Sequence, residues 1–366
     1  MSDPEQGTPL KRGWTTGACA AGAARAAFEA LVTGEFPDPV PVALPKGVRP
    51  EFALATHELG PDFARAGIVK DAGDDPDVTH GAMIVATVRR APLSAGLSFT
   101  AGEGVGMVTR PGLPLRVGEP AINPGPRAMI RANLEEVAMR LGAGVDAIVE
   151  ISVPHGERIA ERTWNARLGI LGGLSILGTT GIVIPYSCSA WIASIHRGVD
   201  VARAGGCAHI GAATGDTSES AIRALYALPD HALIDMGDFV GGFLKYLRAH
   251  PVPRLTIAGG PAKMTKLAQG LLDLHSKRGA VDLAALGERV AHAGGAPTLA
   301  AAIASANSGL HAFELAEAAS FDLPALVADG AWATAARVLA GGPSELETIV
   351  VGRDGRVLAS SGFRRV

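Results

Sequence analysis

Three apolar segments decide the fold, and each runs into a turn that contains glycine: residues 207–216 (CAHIGAATGD), 231–238 (HALIDMGD) and 254–260 (RLTIAGG). Each begins with an apolar run of strand length, and a stretch of helical periodicity follows each of them. The strands are predicted at 207–213, 231–236 and 254–258, and the helices at 218–228, 239–249 and 261–275. Alternating strands and helices are typical of a parallel, Rossmann-like α/β sheet, in which ligands bind at the carboxyl ends of the strands.

The half of the chain before this alternation has the pattern of an α+β domain. Its predicted elements are a helix at 18–31 with Thr16 as N-cap, a strand at 83–88, a helix at 127–141 and a hairpin at 148–162 around His155-Gly156. The domains are predicted at 1–184 (α+β, with glycine-rich loops that face the substrate), 185–290 (Rossmann-like α/β) and 291–366. The last segment is expected to be mostly helical, to end in a β-hairpin at 348–360, and to pack on the other two.

Composition narrows the class of protein. Of the 366 residues, 48% are hydrophobic and 19% are charged, and the chain contains 47 glycines and 24 prolines. This balance is typical of a globular chain with many tight turns. The formal net charge of −3 argues against a nucleic-acid-binding protein, which carries a basic excess.

The cysteines predict neither a metal site nor a disulfide framework. Cys19, Cys188 and Cys207 are widely spaced, and no C-x-x-C pair occurs. We therefore expect reduced thiols and no protein-bound metal. Residues 1–13 are polar and lack the apolar core of a signal peptide, so a cytoplasmic location is expected.

One uncharged stretch, residues 168–195, is longer than the roughly 20 residues that a membrane-spanning helix needs. However, five glycines lie within 169–181, and Pro185 follows them. Glycines at this density favour turns in a buried backbone, so we expect no membrane span.

The common fingerprints of nucleotide sites and hydrolases do not occur. The run 102–106 (GEGVG) would need a glycine at position 107 to continue a dinucleotide motif, but Met107 stands there and Pro111 follows. Residues 259–263 (GGPAK) lack the spacing of a Walker A loop, although such a strand-to-helix turn can still present N–H groups to an anion. No G-x-S-x-G elbow supports a hydrolase.

Two further segments each allow two interpretations. The acidic run 70–79 (KDAGDDPDVT) is either a solvated turn or a loop that offers a carboxylate to a ligand as hydrogen-bond acceptor or proton relay. Residues 161–167 (ERTWNAR) and the glycines after them are either a hairpin edge with buried turns or the floor of a cleft. In the second case the bare backbone would admit a flat ligand.

Several motifs taken together carry a family resemblance. They are 15–21 (TTGACAA), 70–79, 104–113, 118–124 (GEPAINP), 163–185, 237–241 (GDFVG) and 259–270. In that order they resemble the cobalt-precorrin-5B C1-methyltransferase family (CbiD) of cobalamin biosynthesis over about residues 10–280, and more loosely beyond. One departure is that Pro261-Ala262 precedes Lys263, where the family has a Gly-Lys pair, so Lys263 is the weakest correspondence.

The resemblance implies methyl transfer from S-adenosylmethionine to carbon 1 of (cobalt-)precorrin-5B, which gives (cobalt-)precorrin-6A. It implies a tetrapyrrole as the small-molecule partner, without nucleic acid or membrane, and it is compatible with a homo-oligomer and with transient contacts to neighbouring pathway enzymes. Two alternatives stay open: an NADPH-dependent precorrin reductase that uses the α/β half, and a non-catalytic corrinoid-binding protein.

Under this interpretation the predicted site residues fall into three groups. We expect the donor at the strand ends, where an acidic residue can hold a ribose hydroxyl: Thr214, Gly215, Asp235, Asp238, Gly259 and Gly260. We expect the macrocycle between the two halves, in contact with Thr15, Thr16, Gly17, Lys70, Arg110, Asn123, Thr163, Asn165, Arg167, Thr179 and Thr180. A catalytic role as base or polarising group is assigned to Asp71 or Asp74.

Overall fold

The computed structural model describes residues 9–342 and 345–366 of a mixed α/β protein. The chain divides into two compact units, Met1–Cys188 and Ser189–Val366, which we call unit 1 and unit 2. The prediction that residues 1–13 contain no signal peptide falls mostly on residues 1–8, which lie outside the described residues. Among the described residues, no helix is both long enough and apolar enough to cross a membrane.

Unit 1 combines helices with a five-stranded sheet and several two-stranded pairs. The helices are α1 (Thr16–Thr33), α2 (Pro124–Leu141) and α3 (Gly156–Ala160). The strands are β1 (Gly13–Trp14), β2 (Val40–Pro41), β3 (Glu51–Phe52), β4 (Thr56–Leu59), β5 (Phe63–Val69), β6 (Met83–Arg90), β7 (Leu97–Ala101), β8 (Met107–Val108), β9 (Ala147–Ser152), β10 (Ile170–Leu171) and β11 (Ile182–Val183). The sheet order is β4-β5-β6-β9-β7, antiparallel except for the parallel pair of β7 and β9.

Helix α1 lies at the centre of the unit 1 core. Its alanines are buried, and their small side chains let the helix lie close to α2, β5 and β6. The helix begins one residue earlier than its predicted N-cap implies, because Thr15 and not Thr16 supplies the cap: the Thr15 hydroxyl accepts the N–H of Ala18 at 3.1 Å.

The hairpin predicted at 148–162 is wrong. Its first half is strand β9, which pairs with β6 on one side and β7 on the other, and the chain then forms helix α3 instead of returning as a strand. The physical reason is the composition of the second half (GERIA), since Glu, Arg and Ala favour a helix.

Unit 2 is built around a mixed six-stranded sheet. The helices are α4 (Cys188–Ala204), which starts at the last residue of unit 1, α5 (Asp216–Tyr226), α6 (Val240–Ala249), α7 (Pro261–Ala268), α8 (Leu283–His292), α9 (Pro297–Ala304), α10 (Gly309–Ala318) and α11 (Leu323–Leu339). The strands are β12 (His209–Ala213), β13 (Leu233–Asp235), β14 (Arg254–Gly259), β15 (Glu345–Val351), β16 (Val357–Ser360) and β17 (Arg364–Arg365).

The sheet order is β13-β12-β14-β15-β16, with β17 also paired to β15. Strands β12 to β15 are mutually parallel, whereas β16 and β17 run antiparallel to β15. The predicted alternation at 207–260 and the terminal hairpin are therefore confirmed as elements. Helix α7 is shorter than predicted, because the chain turns back after Gly270 and Lys266 Nζ donates to the carbonyl of Leu274 at 2.9 Å.

Candidate functional site

In unit 1, the starts of two helices contact the same glycine-rich loop. At the start of α1, Thr16 Oγ1 accepts the N–H of Leu177 at 3.0 Å, and Gly17 N donates to the Leu177 carbonyl at 3.0 Å. Just before α2, both the backbone N and the side-chain Nδ2 of Asn123 donate to the Ile176 carbonyl at 3.0 Å. The loop therefore joins the two helix N-termini.

Gly178 makes this close approach possible. It has a φ of +122°, and a Cβ added at this position would overlap with the side chain of Thr15. Thr179 and Thr180 follow directly, and the Thr180 hydroxyl lies 3.3 Å from the Ile182 carbonyl. The structure thus brings together six of the predicted substrate residues: Thr15, Thr16, Gly17, Asn123, Thr179 and Thr180.

The acidic loop docks beside the strand that leads into α1. The N–H of Trp14 donates to the Asp71 carbonyl at 2.7 Å, and Asp74 Oδ2 accepts the N–H of Lys11 at 2.6 Å. The ammonium of Lys11 lies 2.6 Å from Asp71 Oδ2. Hydrogen bonds, first from Lys11 and then from the Gly73 N–H, hold the pKa of the Asp71 carboxyl below its ordinary value. Asp71 is therefore an anion at neutral pH, able to stabilise positive charge.

Lys70 is buried, whereas a residue that contacts the substrate directly would have to be exposed. Its side chain is 1% exposed, and its ammonium donates to Asp77 Oδ2 at 2.7 Å. The other oxygen of Asp77 accepts the N–H and the hydroxyl of Thr79 at 2.8 and 2.6 Å. The structure therefore places Lys70 as the anchor of the acidic loop, with its charge committed to Asp77.

The remaining predicted residues of unit 1 lie in a second set of contacts, between residues 104–110 and 160–175. The side chain of Arg110 packs against Gly169. The hydroxyl of Thr163 donates to the Ala160 carbonyl at 2.7 Å, and the buried amide of Asn165 donates to the Gly173 carbonyl at 3.1 Å. Thr163 and Asn165 thus hold the turn before the glycine run, while Arg167 is half-buried in the same turn.

A cavity of about 360 Å³ in unit 1 was not predicted from the sequence. Arg127 lies over the ring of Phe99, with its guanidinium 5.5 Å from the ring centre, and pairs with Glu119 at 3.1 Å. Arg131, one helical turn later on α2, also lines the cavity. The available signal was the i, i+4 spacing of two arginines directly after the 118–124 motif.

Unit 2 contains a larger cleft, of about 1110 Å³, at the carboxyl ends of its parallel strands. Thr214 and Gly215 follow β12, Gly260 follows β14, and all three line the cleft. Lys263, in the first turn of α7, lines it as well. Half of the predicted donor residues therefore face this space.

The other half, Asp235, Asp238 and Gly259, are not among the residues that line the cleft. Asp235 Oδ1 accepts the N–H of Gly237 at 3.1 Å, and Gly259 packs against the Thr214 side chain. Asp238 Oδ1 lies 3.1 Å from Lys263 Nζ, which also donates to the Thr214 carbonyl at 2.8 Å. Lys263, the weakest correspondence in the sequence, is thus the residue that ties the ends of two strands together.

Comparison with known proteins identifies the family. The CbiD family model matches residues 3–185, and the model for the CbiD C-terminal domain matches residues 273–362. The chain belongs to the CbiD family. The family resemblance in the sequence is confirmed.

Curated CbiD relatives align with nearly the whole chain. A protein of Agrobacterium fabrum named cobalt-precorrin-5B C(1)-methyltransferase is 63% identical over 95% of this chain and 92% of its own length. A protein of the same name from Methylorubrum extorquens is 60% identical over 96% of this chain and 97% of its own length. A crystal structure of the cobalamin biosynthesis protein CbiD from Archaeoglobus fulgidus is 26% identical over 85% of each chain, with a TM-score of 0.39.

The CbiD C-terminal match includes cleft residues that the sequence did not single out. Leu310 and Phe313 on α10, Phe321 after it and Leu358 on β16 all line the cleft of unit 2. They come from the segment that was predicted only to pack on the other domains. Sequence periodicity marks such residues as core-facing and gives no sign that they reach a cleft.

Proposed function

We propose that this protein catalyses the S-adenosylmethionine-dependent methylation of carbon 1 of cobalt-precorrin-5B in cobalamin biosynthesis. The observation that carries the proposal is identity of 63% and 60%, over more than nine-tenths of both chains, to proteins of that name. The enzyme is a transferase of one-carbon groups. The product is cobalt-precorrin-6A.

This reaction suits a site without a nucleophilic side chain. The carbon–sulfur bond of the donor methyl group breaks as carbon 1 of the macrocycle forms a new carbon–carbon bond, and the electron pair stays on sulfur as S-adenosylhomocysteine. The donor is already activated, so the protein contributes alignment of the two reactants and exclusion of water.

We place the donor in the cleft of unit 2, in a Rossmann-like arrangement. Support comes from the parallel strand ends, from the N-termini of α5 and α7, and from Lys263, which together suit the carboxylate of the donor. Asp235 ends β13 and Asp238 follows it at the same carboxyl edge of the sheet, so they are the candidate acceptors for ribose hydroxyls although they do not line the cleft. We expect Asp238→Ala to weaken donor binding in calorimetry, and unchanged affinity would remove Asp238 from the donor site.

We place the macrocycle on unit 1, at the loop that joins the starts of α1 and α2. Carboxylates fringe this substrate and need cationic or hydrogen-bonding partners. The second set of contacts in unit 1, around Arg110 and Arg167, offers guanidinium groups to the same fringe. Glycines in the loop leave backbone uncovered for the flat face of the ring.

We assign Asp71 and Asp74 to the electrostatic stabilisation of charge on the substrate, or to proton acceptance from it. The Asp71→Asn/Asp74→Asn double variant removes both charges and keeps an oxygen for the hydrogen bonds from Lys11 and Gly73. We expect kcat to fall about tenfold, as the loss of roughly 1.4 kcal/mol of transition-state stabilisation would produce. Asp75→Asn is the matched control in the same loop, and full activity of the double variant would refute the assignment.

The reaction itself is tested with donor labelled in its methyl group. Purified protein, cobalt-precorrin-5B and labelled S-adenosylmethionine should give labelled cobalt-precorrin-6A. Binding of the tetrapyrrole without transfer of label would favour a non-catalytic corrinoid-binding protein. Consumption of NADPH in place of the donor would favour the reductase.

A further inference from the structure

The cleft of unit 2 is lined by two chemically different sets of groups. One set is polar and comes from the strand ends and helix starts, with Thr214, Gly215, Gly260 and Lys263. The other set comes from the C-terminal part of the chain and contains the apolar side chains of Leu310, Phe313, Phe321 and Leu358. Charged side chains of the same part also line the cleft: Glu314, Glu317, Asp322, Arg353, Asp354 and Arg356. The polar set and the four apolar side chains together can hold a ligand that has a charged end and an apolar ring.

The polar set suits a small carboxylate. Lys263 is held within 2.8 Å of the Thr214 carbonyl and 3.1 Å of Asp238, so its ammonium is fixed in place beside the start of α7. A Cβ added at Gly260 would meet nothing within 4 Å, so a ligand can approach the backbone there. The first N–H groups of α5 and α7 lack partners within their own helices.

The apolar set suits a flat heteroaromatic ring. Phe321 is half-buried and Leu358 is exposed, so both present surface to the cleft, while Phe313 is buried. Aromatic and aliphatic side chains that line a cleft bind a planar ring through its faces. The volume, about 1110 Å³, is just above the range that is typical of ligand pockets, about 300–1,000 Å³.

We propose that the C-terminal segment forms the adenine site of the methyl donor, with the ring against Phe321 and Leu358, and that the methionine end of the donor lies at Lys263. This inference rests on the donor site proposed above and adds an orientation for the ligand. The consequence is that residues 310–358 determine whether an adenosyl compound is accepted, while the strand ends recognise its amino-acid part.

Calorimetry of the full chain with two probes tests this orientation. S-adenosylhomocysteine carries both ends of the donor, whereas adenosine carries only the ring and the ribose. We expect Phe321→Ala to weaken both probes by about tenfold, and Phe321→Tyr, which keeps a ring, to bind both as the wild type does. Lys263→Met should weaken S-adenosylhomocysteine by about tenfold and leave adenosine unchanged.

Phe363→Ala is the matched control, because Phe363 is an aromatic residue of unit 2 that packs on His209 and Arg254 and does not line the cleft. It should leave the affinity for both probes unchanged. Wild-type affinity in Phe321→Ala, or an equal loss for both probes in Lys263→Met, would overturn the orientation. A wild-type protein that binds neither probe would instead overturn the proposed function.

Discussion

Replacing Asp77 with alanine lowers the free energy of unfolding by about 3 kcal/mol, at the low end of the range for breaking a buried ion pair. The reason is Lys70, whose ammonium lies 2.7 Å from the Asp77 carboxylate and whose side chain is 1% exposed. In the variant the ammonium loses its partner without gaining access to water. Asp77 itself is 25% exposed, which is why the low end applies. Denaturant-induced unfolding measures the change.

The double variant Lys70→Met/Asp77→Ala separates the effect of an unpaired buried charge from the other effects of changing the loop. Replacing both partners of a buried ion pair by apolar groups is often close to neutral, so most of the lost stability should return. Asp75→Ala is the control, since Asp75 accepts only the N–H of Tyr186 at 2.8 Å among its described contacts, and should cost about 1 kcal/mol. A double variant as unstable as the single one would contradict this account.

The stabilisation by the ion pair of Lys70 and Asp77 depends on pH. Burial pushes the pKa of the Asp77 carboxyl upwards, but hydrogen bonds from Lys70 and Thr79 outweigh it and hold the pKa below its ordinary value of 3.8. Such a group stabilises the fold above its unfolded pKa, and the contribution is lost as the pH falls through the folded pKa. The difference between wild type and Asp77→Ala should therefore be full at neutral pH and shrink below about pH 4.

Replacing Gly178 with alanine destabilises unit 1 by about 3 kcal/mol and abolishes most of the methyl transfer. The φ of +122° strains any residue with a Cβ, and the added methyl group would overlap with Thr15. Thr15 caps α1, so either the cap breaks or the loop moves away from Gly17. Thermal denaturation and the labelled-methyl assay measure the two effects.

Gly172→Ala is the matched control for strain without overlap. Gly172 also has a positive φ, of +81°, but a Cβ there would meet nothing within 4 Å. We expect a cost of only about 1 kcal/mol from the backbone conformation. Equal losses in the two variants would show that the contact between Gly178 and Thr15 is unimportant.

Local sequence patterns predicted the individual strands and helices of the parallel sheet better than they predicted which strands pair in it. Strands β12, β13 and β14 follow one another with single helices between them, and this alternation is visible in the sequence. Strand β15 was recognised as one arm of a hairpin. It also pairs with β14, and five helices, α7 to α11, separate these two strands along the chain, a pairing that no local periodicity indicates.

In the candidate site, too, the sequence predicted single residues but did not predict the long-range contacts between them. Thr16 and the glycine run were both selected, but their contact joins residues 161 positions apart and depends on the packing of the whole unit. Lys70 is predicted to contact the substrate, because it begins an acidic run that could form a ligand-facing loop. Its burial follows from the way the loop closes over it, with Asp77 as its partner.

The position of β15 determines when the donor cleft can exist. This strand is the fourth parallel member of the sheet, and its Glu347 accepts a hydrogen bond from Thr256, 91 residues earlier. During synthesis the sheet stays open along β14 until β15 has been made, because long-range strand pairing must wait for both partners. A chain stopped at residue 290 would contain every strand end assigned to the donor and still lack the wall that completes their cleft. Competence to bind an adenosyl ligand should therefore report that synthesis has passed Leu358.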